Sequence, residues 1–198
     1  LKQTGLSDAS RANAAASIQL LPIQREDAAV LWHHARDDDA WVTPDRHWQT
    51  WVAWVEALLA AEVMGWSWLR TVSITGRLAG FVTVRTVEAA LLPPETTAVE
   101  CGTYLLPAWR GLGWNALVKQ ATIHFARSVA GMAAPPDWCL FVVPEDNHRA
   151  IAAFRSLDWS WSMELGPGGS FARFARRKSW EAGRPCVVFG CRAAVLAP

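Results

Sequence analysis

Apolar positions along this 198-residue chain switch repeatedly between the two-residue period of a strand and the longer period of a helix. Residues 17–21 predict a first strand that stops at Pro22. Helical spacing over about 25–36 predicts a first helix, closed by the acidic turn Asp37-Asp38-Asp39. Thr43-Pro44-Asp45 reads as the next helix start, with Thr as N-cap and Pro at the first helical position. Trp48, Trp51, Val52, Val55, Leu58 and Leu59 keep helical spacing behind it, up to Gly65. Residues 66–74 and 77–87 predict two strands joined by the hairpin signal Thr75-Gly76. A polar loop with two prolines leads to a fourth strand over 98–106. A third helix opens at Gly111 and Gly113, with Leu117, Val118, Ala121, Phe125 and Val129 on its apolar side. The continuous apolar run 138–143 predicts a fifth strand buried on both faces. A fourth helix over 147–157 and strands over 159–165 and 185–192 complete the pattern. Between those strands lie Gly-Pro-Gly-Gly and a basic segment, 170–181, with helical character.

This alternation holds no internal repeat and no long linker, so a single domain over 17–198 is expected behind a loosely held leader, 1–16. A formal net charge of +1 gives no electrostatic case for nucleic acid or an anionic membrane surface. No apolar run reaches membrane-spanning length, and a cytoplasmic location is expected. Cys101, Cys139, Cys186 and Cys191 sit in strand-like apolar runs without Cys-x-x-Cys or zinc-ligand spacing, so they read as buried free thiols and no metal is expected. Thirteen tryptophans against one tyrosine point to a Trp-packed core, and any exposed ones leave a homodimer open.

The chemistry concentrates in Arg110-Gly111-Leu112-Gly113-Trp114-Asn115. Here an apolar strand passes a Pro and opens through a glycine loop directly into a helix. Bare N–H groups at a helix start, approached through residues without a Cβ, suit a phosphate or pyrophosphate. A Walker loop is excluded because no Gly-Lys-Ser/Thr follows, and the dinucleotide fingerprint fails at its third glycine. The stretch resembles the acetyl-CoA loop of the GNAT acetyltransferase superfamily, Arg/Gln-x-x-Gly-x-Gly/Ala after strand four. Asn115 in the last place is similar to the variant of the Rim-type branch, which acetylates protein N-termini and small molecules. A second stretch, Asn147, Ala150, Phe154 and Asp158-Trp159, resembles the family's helix-four motif, with Asp where Gly is common. Gly183 to Gly190 is similar to its last strand. The resemblance implies an α+β fold layered α/β/α: a mixed, mostly antiparallel seven-stranded sheet splayed between strands four and five, with four main helices.

It also implies an acetyl-CoA-dependent N-acetyltransferase that moves an acetyl group to a primary amine by direct attack in a ternary complex. The acceptor is a small molecule or a protein N-terminus; a CoA-binding regulatory protein of the same fold with little turnover is the alternative. Leu105, Arg110, Gly111, Leu112, Gly113, Trp114, Asn115, Asn147 and Phe154 are the expected cofactor contacts, with the pantetheine arm laid between the splayed strands like an added strand. Asn147 has a second reading as the cap of helix four. Gly102 inside strand four marks a bulge or close approach, or merely a weak spot. Glu100, an acid in an apolar strand, is the candidate base for the amine, against a reading as a solubilising strand residue. The tyrosine that many family members place on helix four is Phe154 here, which has no proton to give; Tyr104 and Ser156 are the nearby hydroxyls. Asp37–Asp39 and the basic Arg173, Arg176, Arg177 and Lys178 border the region where the resemblance puts the acceptor.

Overall fold

The computed structural model describes residues 17–36, 38, 50–129, 134–155, 157, 162–165 (backbone) and 168–193. The expected leader 1–16, Asp37, Asp39, the helix start Thr43-Pro44-Asp45, Trp48, Ser156 and Asp158-Trp159 lie outside them.

Seven strands make one sheet: β1 (Ile18–Pro22), β2 (Ser67–Ile74), β3 (Arg77–Thr86), β4 (Ala98–Leu105), β5 (Trp138–Pro144), β6 (Ser162–Leu165) and β7 (Cys186–Arg192). Their order is β1-β2-β3-β4-β5-β7-β6, antiparallel throughout except between β4 and β5, the mixed, mostly antiparallel seven-stranded sheet that the resemblance implies. Thr75 (φ 51°) and Gly76 (φ 77°) both turn left-handed between β2 and β3, the geometry that matches the twist of a tight hairpin. A bulge interrupts the β2–β3 register at Val72/Ser73, whereas β3 and β4 pair without a break through Gly102. A close approach occurs at Gly80, where an added Cβ would run into the Tyr104 carbonyl oxygen.

Five α-helices, not four, accompany the sheet among the described residues: α1 (Arg25–Ala35), α2 (Trp51–Val63), α3 (Trp114–Ser128), α4 (His148–Arg155) and α5 (Ala172–Ala182). The additional one is the basic segment. Phe171, Phe174 and Ala175 seat it on Leu140 of β5 and Val188 of β7, and Gly183 ends it in a left-handed cap. Helix α2 starts later than the Thr43 signal, because Thr50 is extended and its hydroxyl accepts the Ala53 N–H at 3.2 Å. On α3 the buried stripe is Val118, Lys119, Thr122, Ile123 and Ala126; of the expected face Val118 and Val129 are buried, whereas Leu117, Ala121 and Phe125 are half-buried.

Strand alternation sends neighbouring residues to opposite faces. Tyr104 and Phe81 meet Leu31, Trp32, Trp54 and Leu58 of α1 and α2 on one face, which α5 extends over β5 and β7. Val99, Cys101, Cys139 and Phe141 meet Ile123, Ala126, Ile151 and Phe154 of α3 and α4 on the other. All four cysteines are free and buried. Trp54 is core, only 2 % exposed, whereas Trp66 and Trp180 are exposed.

Candidate functional site

Strands β4 and β5 pair only from Ala98–Glu100 to Trp138–Leu140, and then part. Parallel neighbours that diverge leave a fork whose walls carry unpaired backbone. Leu106 donates its N–H to Ala79 of β3 at 2.8 Å. Because successive N–H groups of a strand point to alternate edges, those of Thr103 and Leu105 face the fork. Leu105 keeps its side chain buried against Val118 of α3, so its contribution to the fork is backbone.

Beyond β4 a short turn of 3-10 helix, Pro107–Trp109, delivers the chain to the glycine loop. Gly111 (φ 75°) and Gly113 (φ 84°) are both left-handed, and no heavy atom lies within 4 Å of where a Cβ would stand on either. Gly113 is the N-cap of α3 and no side chain caps that end. The first amides of α3 therefore open on free space at the mouth of the fork. Leu112 at the loop tip is exposed, and Trp114 packs edge-on against Trp109, whose indole N–H donates to the Leu78 carbonyl at 3.1 Å.

Arg110 points inward from this loop. Its Nε donates to the Leu105 carbonyl at 2.7 Å and its Nη2 to the Asp38 carboxylate beyond α1. The Tyr104 hydroxyl joins the group at 3.0 Å from both Asp38 Oδ2 and the His34 carbonyl. Burial, and then the neighbouring carboxylate, push the phenol up to about 12. The guanidinium thus braces α1 to the end of β4, and its charge is met by Asp38. What the loop offers an anion is backbone N–H.

Sequence reasoning passed over Lys119, one helical turn beyond Asn115. It is 3 % exposed, donates to Asn115 Oδ1 at 2.8 Å and to Thr103 Oγ1 at 3.2 Å, and lies 4.4 Å from the centre of the Phe154 ring. Burial brings its ammonium down to about 7. The available signal was its spacing, since Asn115, Lys119 and Ile123 share one i,i+4 row beside the buried Val118–Thr122–Ala126 row. Asn147 caps α4, its Oδ1 accepting the Ala150 N–H at 3.1 Å. Phe154 stacks on Phe189 and closes the floor between α4 and the sheet.

Glu100, at the last paired position of the fork, faces α5, away from Lys119. Its Oε2 lies 2.7 Å from Lys178 Nζ, which also reaches Glu181 at 2.8 Å. Burial alone would lower the Lys178 ammonium, but the Glu100 and Glu181 carboxylates outweigh it and hold it above its ordinary range. The reading of Glu100 rested on an acid in apolar surroundings; the fold supplies it with a cation from α5. Arg177 pairs with Glu181 on the same helix. A groove of about 540 Å³ runs between α2 and the ends of β2 and β3, lined by Leu58, Trp66, Ser67, Arg85 and Glu88. Among the described residues no cluster of His, Cys, Asp or Glu could hold a metal, and no helix is long and apolar enough to cross a membrane.

Residues 19–159 match the model of the acetyltransferase (GNAT) family. The chain belongs to that family. It is by class an N-acetyltransferase, and acetyl-CoA is the acyl donor the family uses. No curated protein matches the sequence. Among solved structures, the spermidine N-acetyltransferase from Vibrio cholerae in complex with CoA and spermine is similar at TM-score 0.62 and 9 % identity, over 90 % of this chain and 97 % of that one. A dodecameric structure of the Vibrio cholerae enzyme in an intermediate state gives 0.61 at 9 %, over 90 % and 95 %. The spermidine/spermine N-acetyltransferase SpeG from the same organism, in complex with manganese ions, gives 0.60 at 9 %, over 91 % and 95 %. At such identity the likeness is one of fold. The acetyltransferase's own residues fit an acyl-CoA: a glycine loop with room for phosphate oxygens, and a fork edged by outward N–H groups.

Proposed function

We propose that this acetyltransferase moves an acetyl group from acetyl-CoA to a small primary amine by direct attack within the fork. The carrying observation is the continuity between the open start of α3 and the unpaired N–H edge of β4. In this reading the amides of Gly111 to Asn115 hold the pyrophosphate, with Leu112 and Trp114 flanking it. The Thr103 and Leu105 N–H groups pair the pantetheine arm. Acetyl-CoA supplies the acetyl group as an activated thioester. A β4 N–H aimed into the fork is the donor for charge developing on the carbonyl oxygen. Asn147 fixes the start of α4, and Phe154 gives an apolar wall to the arm.

Glu100 is the base in this proposal, with Lys178 holding its carboxylate at the junction of the two strands. A proton passes to it from the amine directly or through one water. The acceptor class is argued from the similarity to a structure that holds CoA and spermine. The asparagine-ended loop keeps the Rim-type resemblance, and with it a protein N-terminus, as the other acceptor to test. The absence of a hydroxyl on Phe154 favours a second reading, a CoA-binding regulator with little turnover.

Calorimetric titration with acetyl-CoA, followed by thiol release with spermine, spermidine, simple alkylamines and an N-terminal peptide, tests these together. Binding with amine-dependent thiol release supports transfer. Binding without release supports the regulator, and no binding overturns both. Sedimentation of the same sample measures whether a homodimer forms.

A further inference from the structure

Lys119 is the one charged side chain buried among the described residues, and a cation without a counter-ion is costly in such a place. Every element packed around its Nζ offers an uncharged group: Asn115 from α3, Thr103 from β4, Phe141 from β5 and Phe154 from α4. Among the described residues no carboxylate pairs with it. An ammonium carries three N–H donors. Two are taken by Asn115 and Thr103, and the third has the Phe154 ring for a partner. Thr103 and Phe141 both lie just past the last β4–β5 pair, so the ammonium sits at the inner end of the fork.

Release of a thiolate calls for a proton source, and the nearby candidates are few. Phe154 has none. The Tyr104 hydroxyl is on the opposite face, engaged with Asp38 and the His34 carbonyl.

We infer that Lys119 donates the proton to the departing thioester sulfur, from its place between β4, β5 and α4. This rests on the acetyl-CoA reading above. As the amine nitrogen bonds to the acetyl carbon, the carbon–sulfur bond breaks and its electron pair goes to sulfur. Lys119 Nζ–H passes a proton to that sulfur and is left as a neutral amine. It regains a proton from water, while the proton lost by the attacking amine leaves through the base on the other face. No co-reactant is needed. Burial supports the role by bringing the ammonium close to neutrality, where it gives up a proton readily.

The probe is CoA itself, because the thiolate absorbs in the ultraviolet and can be titrated on the protein without any acceptor. A fixed cation beside the sulfur stabilises the thiolate, so bound CoA ionises at lower pH on Lys119→Arg, which stays charged throughout, than on Lys119→Met. The expected difference is about tenfold in the thiolate-to-thiol ratio at a given pH, one unit of titration. Identical titration curves overturn the inference. Lys119→Arg keeps a charge at this position but does not release its proton, so it shows the shift and loses acetyl transfer. Full transfer by Lys119→Arg assigns the residue a purely structural tie and also overturns the inference. Adding Phe154→Tyr to Lys119→Met returns a proton donor to the same space and restores transfer at least tenfold. Failure of the parent to bind CoA removes the acetyl-CoA reading, and this inference with it. Binding with equal titrations removes the inference alone.

Discussion

Replacing Lys119 by Met should change how the stability of the fold responds to pH. The side chain is buried, and burial brings its ammonium from an ordinary 10.5 to about 7. The sign follows from proton counts. Below about pH 7 the folded and unfolded chains both bind this proton, and the full cost of burying the charge is present. Between about 7 and 10.5 the unfolded chain binds one more proton than the folded one, so stability rises with pH by about 1.4 kcal/mol per unit. From pH 6 to 9 that amounts to about 3 kcal/mol, and across the whole window to about 5 kcal/mol. Met has similar length and no titration. It loses the hydrogen bonds to Asn115 and Thr103, a pH-independent cost of about 1 kcal/mol each. Urea unfolding of both proteins at pH 6, 7, 8 and 9 measures the difference, and every other titrating group cancels in it. The variant should stand highest relative to the parent at pH 6 and lose about 3 kcal/mol of that standing by pH 9. A difference that stays constant from pH 6 to 9 refutes the reasoning, because it means that Lys119 keeps its charge throughout that range in the folded protein.

Gly113→Val puts a β-branched residue at φ 84°; it should weaken acetyl-CoA binding at least tenfold by calorimetric titration, with a stability loss of only about 1–2 kcal/mol. Glu100→Gln removes the carboxylate charge beside Lys178; acetylation should slow about a hundredfold, most at low pH, while acetyl-CoA affinity holds, and equal rates across the pH range would return Glu100 to a purely structural pairing. Gly80→Ala forces a Cβ against the Tyr104 carbonyl and must move β4 away from β3, which should cost about 3 kcal/mol or more in urea unfolding.

The features legible in the sequence are those set by nearby residues. Thr75-Gly76, the glycine-opened start of α3 and the unbroken apolar run of β5 each report a local backbone requirement, and each falls where the spacing puts it. Helix α5 was harder to read because its seat is only Phe171, Phe174 and Ala175, set among cations whose partners lie elsewhere. Lys119 was hidden for a related reason. A single lysine on an amphipathic helix is usually placed on the wet side, and only the angle at which α3 meets β4 and β5 turns it inward. The charges are the clearest case. Arg110 beside a phosphate-type loop reads as a free cation until Asp38, 72 positions earlier, is brought against it. Glu100 in an apolar strand reads as a lone base until α5 folds Lys178 over it. Local physics sets where the N–H groups of the glycine loop point, so that loop could be anticipated, whereas the fork was implied only by the family resemblance. Which charge meets which is set by the packing of distant elements, and in this fold that packing leaves Lys119 without a carboxylate among the described residues.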